Sequence, residues 1–317
     1  MEKPDRPLIS ILAYTAAFDW PLTLAEIAEQ LLPAASLSDI AARLDALVAD
    51  GTARSSMGLY AHESVPVDAF MRRIRCEKET AQKWRRMRRA AWWLQAVPYV
   101  RALLASGSLA VGDADADSDW DVFVVAKGGR LYSARIFLLA AAWLMRRLRT
   151  KHDATAPDKF CFNHYVTTDG LVIRHRSLYT ARGIASLLPL LDPHGYLGKL
   201  RQANPWVAEY VTGDSGSQFV RRQVRPSLVL NTIRTTLEML LETPIGGRFE
   251  SLMRRWQQRR IEREPATHAS GGRVVADDRT LEFHPRSFEA VVLVRYNTLM
   301  ARHGLGEFSE RDSGLTV

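Results

Sequence analysis

The spacing of apolar residues divides the first part of the chain into three helices and a hairpin. Hydrophobic side chains recur at helical intervals over residues 8–18, 24–32 and 36–49. Residues 53–54 and 59–60 then favour two short strands around the turn at Met57 and Gly58. Three helices followed by a small hairpin are typical of a winged-helix domain, which we predict over residues 1–65.

A long helix is predicted next, over residues 67–95, and we treat residues 66–97 as a basic linker. Its basic side chains are Arg72, Arg73, Arg75, Lys78, Lys83, Arg85, Arg86, Arg88 and Arg89. A run of this kind is most often a solvated helix face. The alternative is a surface that contacts phosphate groups.

Residues 98–177 predict a compact α/β core with a small mixed sheet. Apolar segments at 99–105, 120–125 and 159–166 have the length and the flanking turn residues of buried strands, and residues 131–148 form an apolar helix between the last two. The region 178–317 is predicted to be mainly helical, through 181–191, 196–203, 228–241, 249–264 and 286–302. Within it, residues 274–275 and 281–283 favour a hairpin.

Two aspartates mark the region with the clearest chemical signal. Asp119 and Asp121 lie two residues apart at the start of a predicted strand, so their side chains point to the same face. Neighbouring carboxylates repel each other unless a cation neutralises them. Hard oxygen ligands favour Mg²⁺ or Mn²⁺, and substrate phosphates usually complete the coordination shell of these ions. The pair therefore predicts a metal site that binds a nucleoside triphosphate, with both aspartates in catalytic positions.

A glycine and two serines supply the complementary chemistry. Gly107 lets the backbone approach a ligand closely, and the neighbouring N–H groups with the Ser108 hydroxyl can hold phosphate oxygens. We add Ser118, which directly precedes the aspartates, to this predicted nucleotide-binding set. These groups suit in-line attack on the α-phosphorus, with metal ions activating the incoming hydroxyl and stabilising the departing pyrophosphate.

The spacing of these residues resembles a known signature. Gly107-Ser108, three residues, Gly112, five residues and then Ser118-Asp119-x-Asp121 is similar to the motif of the polymerase-β nucleotidyltransferase superfamily. The resemblance is greatest to its stand-alone bacterial and archaeal members, the minimal nucleotidyltransferases. Less specific similarity continues through residues 158–163 and 177–182, and the whole covers roughly 99–210.

The resemblance implies a third carboxylate on the strand after the helix. Residues 159–166 contain no acid, so the sequence departs from the family pattern here. Asn163 is the polar candidate in the middle of that strand, and Asp158 and Asp169 are the nearest acids. An amide oxygen can bind a hard cation but supplies no charge. His164, the next residue, is expected to be a hydrogen-bonded core histidine more often than a catalyst.

Composition and charge restrict the class of protein. A hydrophobic fraction of 47% and a charged fraction of 25% are ordinary for a folded soluble chain. The formal net charge of +8 favours polyanionic partners such as nucleotides or nucleic acid. Cys76 and Cys161 show no metal-ligand spacing, the start of the chain does not resemble a signal peptide, and the apolar stretch 136–145 is too short for a bilayer. We therefore expect a cytoplasmic protein without a membrane partner.

Two functions fit these features. The first is an enzyme that transfers a nucleoside monophosphate from a nucleoside triphosphate to a hydroxyl or similar acceptor, on a small molecule, an RNA or a protein, and releases pyrophosphate. The alternative is a catalytically degenerate core that senses nucleotide while the winged helix binds nucleic acid. Sequence-specific DNA recognition is disfavoured, because Arg43 is the only basic residue of the third helix. The alternating acids of 113–121 do not form an EF-hand, since they lack its glycine and final glutamate.

Overall fold

The protein has a mixed α/β architecture. The computed structural model describes residues 5–31, 35–153, 155–211, 223–285 and 287–306. Within them are eleven α-helices, a three-stranded antiparallel sheet and a six-stranded mixed sheet. None of the helices in these ranges combines the length and the apolar character that crossing a bilayer requires.

The first sheet and its helices follow the predicted order. The elements are α1 (Arg6–Ala16), β1 (Leu22–Thr23), α2 (Leu24–Ala28), α3 (Leu37–Ala49), β2 (Ala53–Ser56) and β3 (Leu59–His62). Thr23 and Ser36 open α2 and α3 with capping boxes, in which Glu26 and Asp39 complete the reciprocal hydrogen bonds. The α2 helix is shorter than predicted, and Leu32 at its expected end lies outside the described residues.

The last helix of the described chain closes this first unit. Helix α11 (Glu289–Arg302) packs on α1, with Tyr296 and Met300 buried in the same apolar cluster as Leu8 and Leu12. The Tyr296 hydroxyl also lies 2.8 Å from the Ser10 hydroxyl, within hydrogen-bonding distance. The N-terminal unit therefore depends on residues from the opposite end of the sequence.

The larger sheet carries the strands predicted for the core. Its strands are β4 (Val100–Ala105), β5 (Trp120–Ala126), β6 (Phe160–Thr167), β7 (Leu188–Leu191), β8 (Arg273–Ala276) and β9 (Thr280–His284), in the spatial order β7–β4–β5–β6–β9–β8. Strands β5 and β6 run parallel, and the other neighbours are antiparallel. The remaining helices are α4 (Asp68–Trp93), α5 (Gly107–Val111), α6 (Leu131–Leu144), α7 (Leu178–Ala185), α8 (Tyr196–Ala203), α9 (Leu228–Leu241) and α10 (Pro244–Glu262).

The prediction of one helix over residues 181–191 was wrong in its second half. Helix α7 ends at Ala185, and the four buried residues of β7 pair with β4 at the edge of the sheet. Pro189 explains the difference, because proline interrupts a helix but is tolerated in an edge strand. The predicted hairpin is confirmed as β8–β9, and it extends the sheet beyond β6. Residues after 177 thus supply three of the six strands.

Helix α6 ends earlier than predicted, and the reason lies in the adjoining strand. The helix stops at Leu144 rather than continuing to residue 148. Leu148 instead forms an isolated bridge with Phe160, and the backbone N–H of Arg149 donates to the Phe160 carbonyl at 3.0 Å. These bonds bring residues 148–149 to the start of β6.

The two faces of the larger sheet have different partners. On one face Trp120, Val122 and Val124 belong to an apolar cluster with Trp84 of α4 and Leu138 of α6. On the other, the side chains of Leu104, Phe123 and Val125 cluster with Ala181 of α7 and Leu200 of α8. Asp121 shares this second face, because it lies two residues before Phe123 on β5.

Candidate functional site

The end of β4 and the start of β5 meet at Gly107 and Asp121. The chain leaves β4 at Ala105 and turns at Gly107, whose φ is +62°. A β-carbon at Gly107 would lie 2.3 Å from Oδ2 of Asp121, closer than such an atom can approach. The backbone N–H of Ser106 donates to the Asp121 carbonyl at 3.0 Å, which fixes the turn against β5. Only glycine fits this position, for both its conformation and the space available.

Asp119 and Asp121 lie on the same side of β5, with the buried Trp120 side chain pointing the other way. One carboxylate oxygen of each and the sulfur of Cys161 lie within 4.8 Å of one another. Burial, followed by the neighbouring charge of Asp119, raises the pKa of Asp121 to about 7. The carboxylates of Asp119 and Asp121 are therefore so close that ionising both is unfavourable unless a cation lies beside them.

Cys161, not a carboxylate, lies opposite Asp121 in the parallel pairing of β5 and β6. Burial, followed by the charges of Asp121 and Asp119, raises the pKa of its thiol, which is therefore protonated at neutral pH. Asn163 lies close by and donates its amide N–H to Oδ1 of Asp121 at 2.9 Å. In the part of the chain that the structure describes, no third carboxylate joins the pair.

The two acids nearest to this strand in the sequence lie elsewhere. Asp158 is bound by the basic helix, with one oxygen 3.4 Å from Lys83 and the other 3.0 Å from Arg86. Asp169 follows the far end of β6 and lies 3.9 Å from Arg279. Neither carboxylate belongs to the cluster around Asp121.

Arg149 is a site residue that the sequence did not reveal. Its guanidinium donates a hydrogen bond to Oδ2 of Asp119, and its side chain is 40% exposed. The position results from the early end of α6 and the backbone bond between Arg149 and Phe160. No spacing rule connects residues 119 and 149, so only the folded chain shows the pair. The site therefore carries a partly exposed guanidinium beside its two carboxylates.

The basic helix α4 holds the loop between Gly112 and Ser118. Lys83 is fully buried and donates to the carbonyl oxygens of Ala116 at 2.9 Å and Ser118 at 2.7 Å. One turn earlier, the Thr80 hydroxyl donates to the Gly112 carbonyl at 2.9 Å. The loop that delivers Asp119 is thus attached to α4 at both ends.

Burial separates the basic residues of α4 into two groups. Arg75, Lys78 and Arg85 are exposed, as expected of a solvated face. That interpretation was wrong for Arg73, which is 4% exposed, and for Lys83, which is fully buried. Arg73 forms an ion pair with Glu26 at 2.7 Å, and Lys83 bonds to loop carbonyls, so these two cations have structural partners.

The predicted phosphate-binding residues are in different situations. Ser106 makes no side-chain capping bond at the start of α5, so the first N–H groups of that turn have no capping partner there. Ser108 lies in this turn and is half-buried. Ser118 is engaged within its own loop, because its hydroxyl donates to Oδ1 of Asp115 at 2.7 Å. Gly107 therefore lies beside Asp121, at the start of a turn without a side-chain cap. The nucleotide-binding roles of Gly107, Ser108 and Ser118 stay predictions.

Helix α3, for which DNA recognition was disfavoured, presents no available cation. Arg43 donates to both oxygens of Asp5, at 2.5 Å and 2.7 Å. A bidentate pair of this kind satisfies the guanidinium. It leaves the exposed face of α3 without a basic group for a phosphate.

Comparison with protein-family models, with curated proteins and with solved structures gave no match at any of the three levels. The case for a function therefore depends on the geometry of these residues. Its central elements are Gly107, Asp119 and Asp121, with Arg149, Cys161 and Asn163 around them.

Proposed function

We propose that the protein is a metal-dependent nucleotidyltransferase with a polymerase-β-type core. It would transfer a nucleoside monophosphate from a nucleoside triphosphate to a hydroxyl or similar acceptor and release pyrophosphate. One observation carries the proposal: the turn at Gly107 lies against the carboxylate of Asp121. A backbone suited to holding an anion is thereby placed beside side chains suited to holding a cation, as a metal–triphosphate complex requires.

The donor atoms fit a hard divalent cation. Asp119 and Asp121 would hold Mg²⁺ or Mn²⁺, which commonly bind through one or two carboxylates and take their remaining ligands from water and substrate phosphates. A bound cation would stabilise the negative charge that develops on phosphate oxygens during transfer. The protonated thiol of Cys161 is a poor partner for such an ion.

Asn163 has a positioning role in this arrangement, and its role as a metal ligand stays a prediction. Its amide N–H points at Asp121, so the bond to Oδ1 fixes the orientation of that carboxylate. Hydrogen bonds of this kind orient metal ligands and commonly change metal affinity by about 10- to 100-fold. The site then consists of two charged ligands, one of which is held in place by an amide.

The chain supplies the phosphate contacts from two directions. The backbone N–H groups at Gly107 and Ser108, with the Ser108 hydroxyl, would bind oxygens of the triphosphate. Arg149 donates to Asp119 and is partly exposed, so its guanidinium can exchange that carboxylate for a phosphate oxygen. Lys83 contributes indirectly, because it holds the loop that carries Asp119.

The N-terminal unit fits a winged helix by its order of elements, over residues 1–65, with α4 as the linker to the core. The engagement of Arg43 by Asp5 disfavours DNA recognition through α3. We therefore assign this unit no part in reading a nucleic acid sequence. Its packing against α11 instead supports a structural role.

A second candidate is a catalytically degenerate, nucleotide-sensing regulator that binds nucleic acid. The position of Cys161 favours it, because a neutral thiol faces Asp121 where a third carboxylate would complete a two-metal site. Salt-dependent binding to DNA or RNA without pyrophosphate release would support this candidate. Pyrophosphate release that depends on the two aspartates would exclude it.

The direct test is incubation with each of the four α-labelled nucleoside triphosphates, in Mg²⁺ or Mn²⁺, with candidate acceptors. We expect label transfer and pyrophosphate from the unmodified protein and neither from the Asp119→Ala, Asp121→Ala double variant. Asp117→Ala is the matched control, because Asp117 is an exposed acid of the same loop. Equal turnover by the double variant and the control would contradict the proposal.

A further inference from the structure

A second group of metal-ligating side chains lies on the same face of the larger sheet as Asp121. It consists of His164 on β6 and Glu282 and His284 on β9. His164 pairs with Glu282 across the two strands, and His284 is two residues further along, so all three point the same way. One ligand atom from each lies within 4.8 Å of the others. Phe123 lies opposite His164 on β5, two residues after Asp121, and separates the two groups.

His164 is half-buried, and its ring nitrogen Nε2 is buried without a hydrogen-bond partner among the described residues. Its ring packs on Phe123, with centroids 4.5 Å apart, and Nε2 has no hydrogen bond to any residue that the structure describes. The expectation of a hydrogen-bonded core histidine was therefore wrong for this nitrogen. An unpaired buried polar atom is costly, and a water, an ion or a ligand commonly satisfies it.

The two histidines lie on either side of a carboxylate that can share a metal ion with them. Neutral imidazole and carboxylate are both ordinary ligands of transition-metal ions. The side chain of His284 is 34% exposed, which gives the group a route to solvent.

A series of buried ionic contacts holds the carboxylate of Glu282 in place. Arg273 donates to Glu282 at 2.7 Å and to Glu289 at 2.8 Å. Glu289 is itself 3.0 Å from His175 and accepts a hydrogen bond from Ser177. Arg273 therefore divides one positive charge between two buried carboxylates and does not neutralise both. Carboxylates that bind metals are commonly held by such outer partners.

We infer that His164, Glu282 and His284 form a binding site for a divalent transition-metal ion. Two imidazoles and one carboxylate are a borderline donor set, which suits Zn²⁺, Co²⁺ or Fe²⁺ and not Mg²⁺. Three protein ligands leave further coordination positions for water or another ligand. The site is distinct in its donors from the pair Asp119 and Asp121, and it does not depend on the proposed transfer reaction.

The experiment is a Co²⁺ titration of the full chain after chelator treatment, followed by visible ligand-field absorption. We expect one Co²⁺ per chain in a site containing imidazole, displaced by stoichiometric Zn²⁺. His284→Gln should weaken binding at least about 10-fold, because loss of a ligand costs no less than loss of an outer partner. His194→Gln, at an exposed histidine outside the cluster, should bind as the unmodified protein does.

Two further measurements distinguish this site from the pair Asp119 and Asp121 and exclude misfolding of a variant as the cause of lost binding. The Asp119→Asn, Asp121→Asn double variant should keep the Co²⁺ absorption while losing nucleotide transfer, so that each proposal can fail alone. X-ray absorption of the Zn²⁺-loaded unmodified protein should show two imidazole ligands, which requires no variant to fold. Undiminished Co²⁺ binding in His284→Gln, loss of binding in the aspartate double variant only, or no Co²⁺ binding by the unmodified chain would overturn the inference.

Discussion

At Gly107 a β-carbon would lie 2.3 Å from Oδ2 of Asp121, so these two residues fit together only because one of them is glycine. The contact joins the turn after β4 to the first residues of β5, which are also bonded through Ser106 N and Asp121 O. It makes the expected phosphate cradle and the expected metal ligands parts of one rigid unit. The predictions that follow test that unit and its supports.

Replacing Gly107 by alanine should abolish nucleotide transfer while leaving the protein folded. The added methyl group would displace the Asp121 carboxylate, and φ of +62° adds a strain of about 1 kcal/mol. Gly129→Ala is the matched control, because Gly129 has a φ of +69° with no atom near the added carbon. Turnover and thermal melting of both variants are the measurements. Equal turnover in the two variants would show that the close contact has no role.

Replacing Lys83 by methionine should destabilise the protein and weaken binding of Mn²⁺–nucleotide. The carbonyls of Ala116 and Ser118 would lose a buried charged donor, at a cost of about 3 kcal/mol in the free energy of unfolding. The loop that carries Asp119 would loosen. Denaturant unfolding and calorimetric titration measure the two effects. Lys78→Met, at an exposed position of the same helix, should change neither quantity, and a similar loss there would contradict the account.

A carboxylate introduced at position 161 should increase the affinity of the site for Mn²⁺. Cys161→Asp would place a third negative charge beside Asp119 and Asp121, so the melting temperature should fall without metal. Added Mn²⁺ should raise that temperature by more than it does in the unmodified protein, since a tighter ligand stabilises the folded state more. Cys161→Ser, which adds no charge, should behave like the original chain. An unchanged response to Mn²⁺ in Cys161→Asp would place residue 161 outside the metal site.

His62 should make the stability of the N-terminal unit depend on pH. It is fully buried, its Nδ1 accepts from the Ser64 N–H, and its Nε2 lies 3.0 Å from His303. Burial, followed by the charge of His303, lowers its pKa from 6.5 to about 4. The unfolded chain therefore binds the proton more readily, so this contribution is complete above pH 6.5 and is lost as the pH falls towards 4.

The expected loss from His62 alone is up to about 3 kcal/mol in the free energy of unfolding. Denaturant unfolding from about pH 7.5 to about pH 4.5 measures this loss of stability, because this range covers most of the titration of His62. The slope should be shallower in His62→Asn and unchanged in His194→Asn, where the histidine is exposed. Identical slopes in all three proteins would refute the assignment to His62.

Local sequence patterns were sufficient for most of the elements and for the central residues of the site. Strand periodicity placed Asp119 and Asp121 together, and the lack of a side chain at Gly107 predicted a close approach of the backbone there. The short helix α5 that begins at Gly107 was not predicted. The helices predicted to start at residues 24 and 36 begin at Leu24 and Leu37, where Thr23 and Ser36 cap them. These features are predictable because each depends on neighbours within a few positions.

The remaining features depend on contacts between distant residues. Pro189 lies in a strand because β4 offers a free edge, and an apolar run gives no indication of that edge. Arg149 reaches Asp119 only after α6 has ended and the chain has bonded to Phe160. In the sequence Lys83 is one of several basic residues on the predicted linker helix, and only the fold brings it to the loop carbonyls that it binds. The cluster of His164, Glu282 and His284 likewise requires that β9 pair with β6.

The most direct test of the central claim is a crystal structure of the protein with Mn²⁺ and a non-hydrolysable nucleoside triphosphate. We predict an anomalous scattering peak for manganese between the carboxylates of Asp119 and Asp121, with the triphosphate on the backbone of Gly107 and Ser108. A nucleotide bound elsewhere, or no manganese at the aspartates while nucleotide is bound, would contradict the assignment of this site.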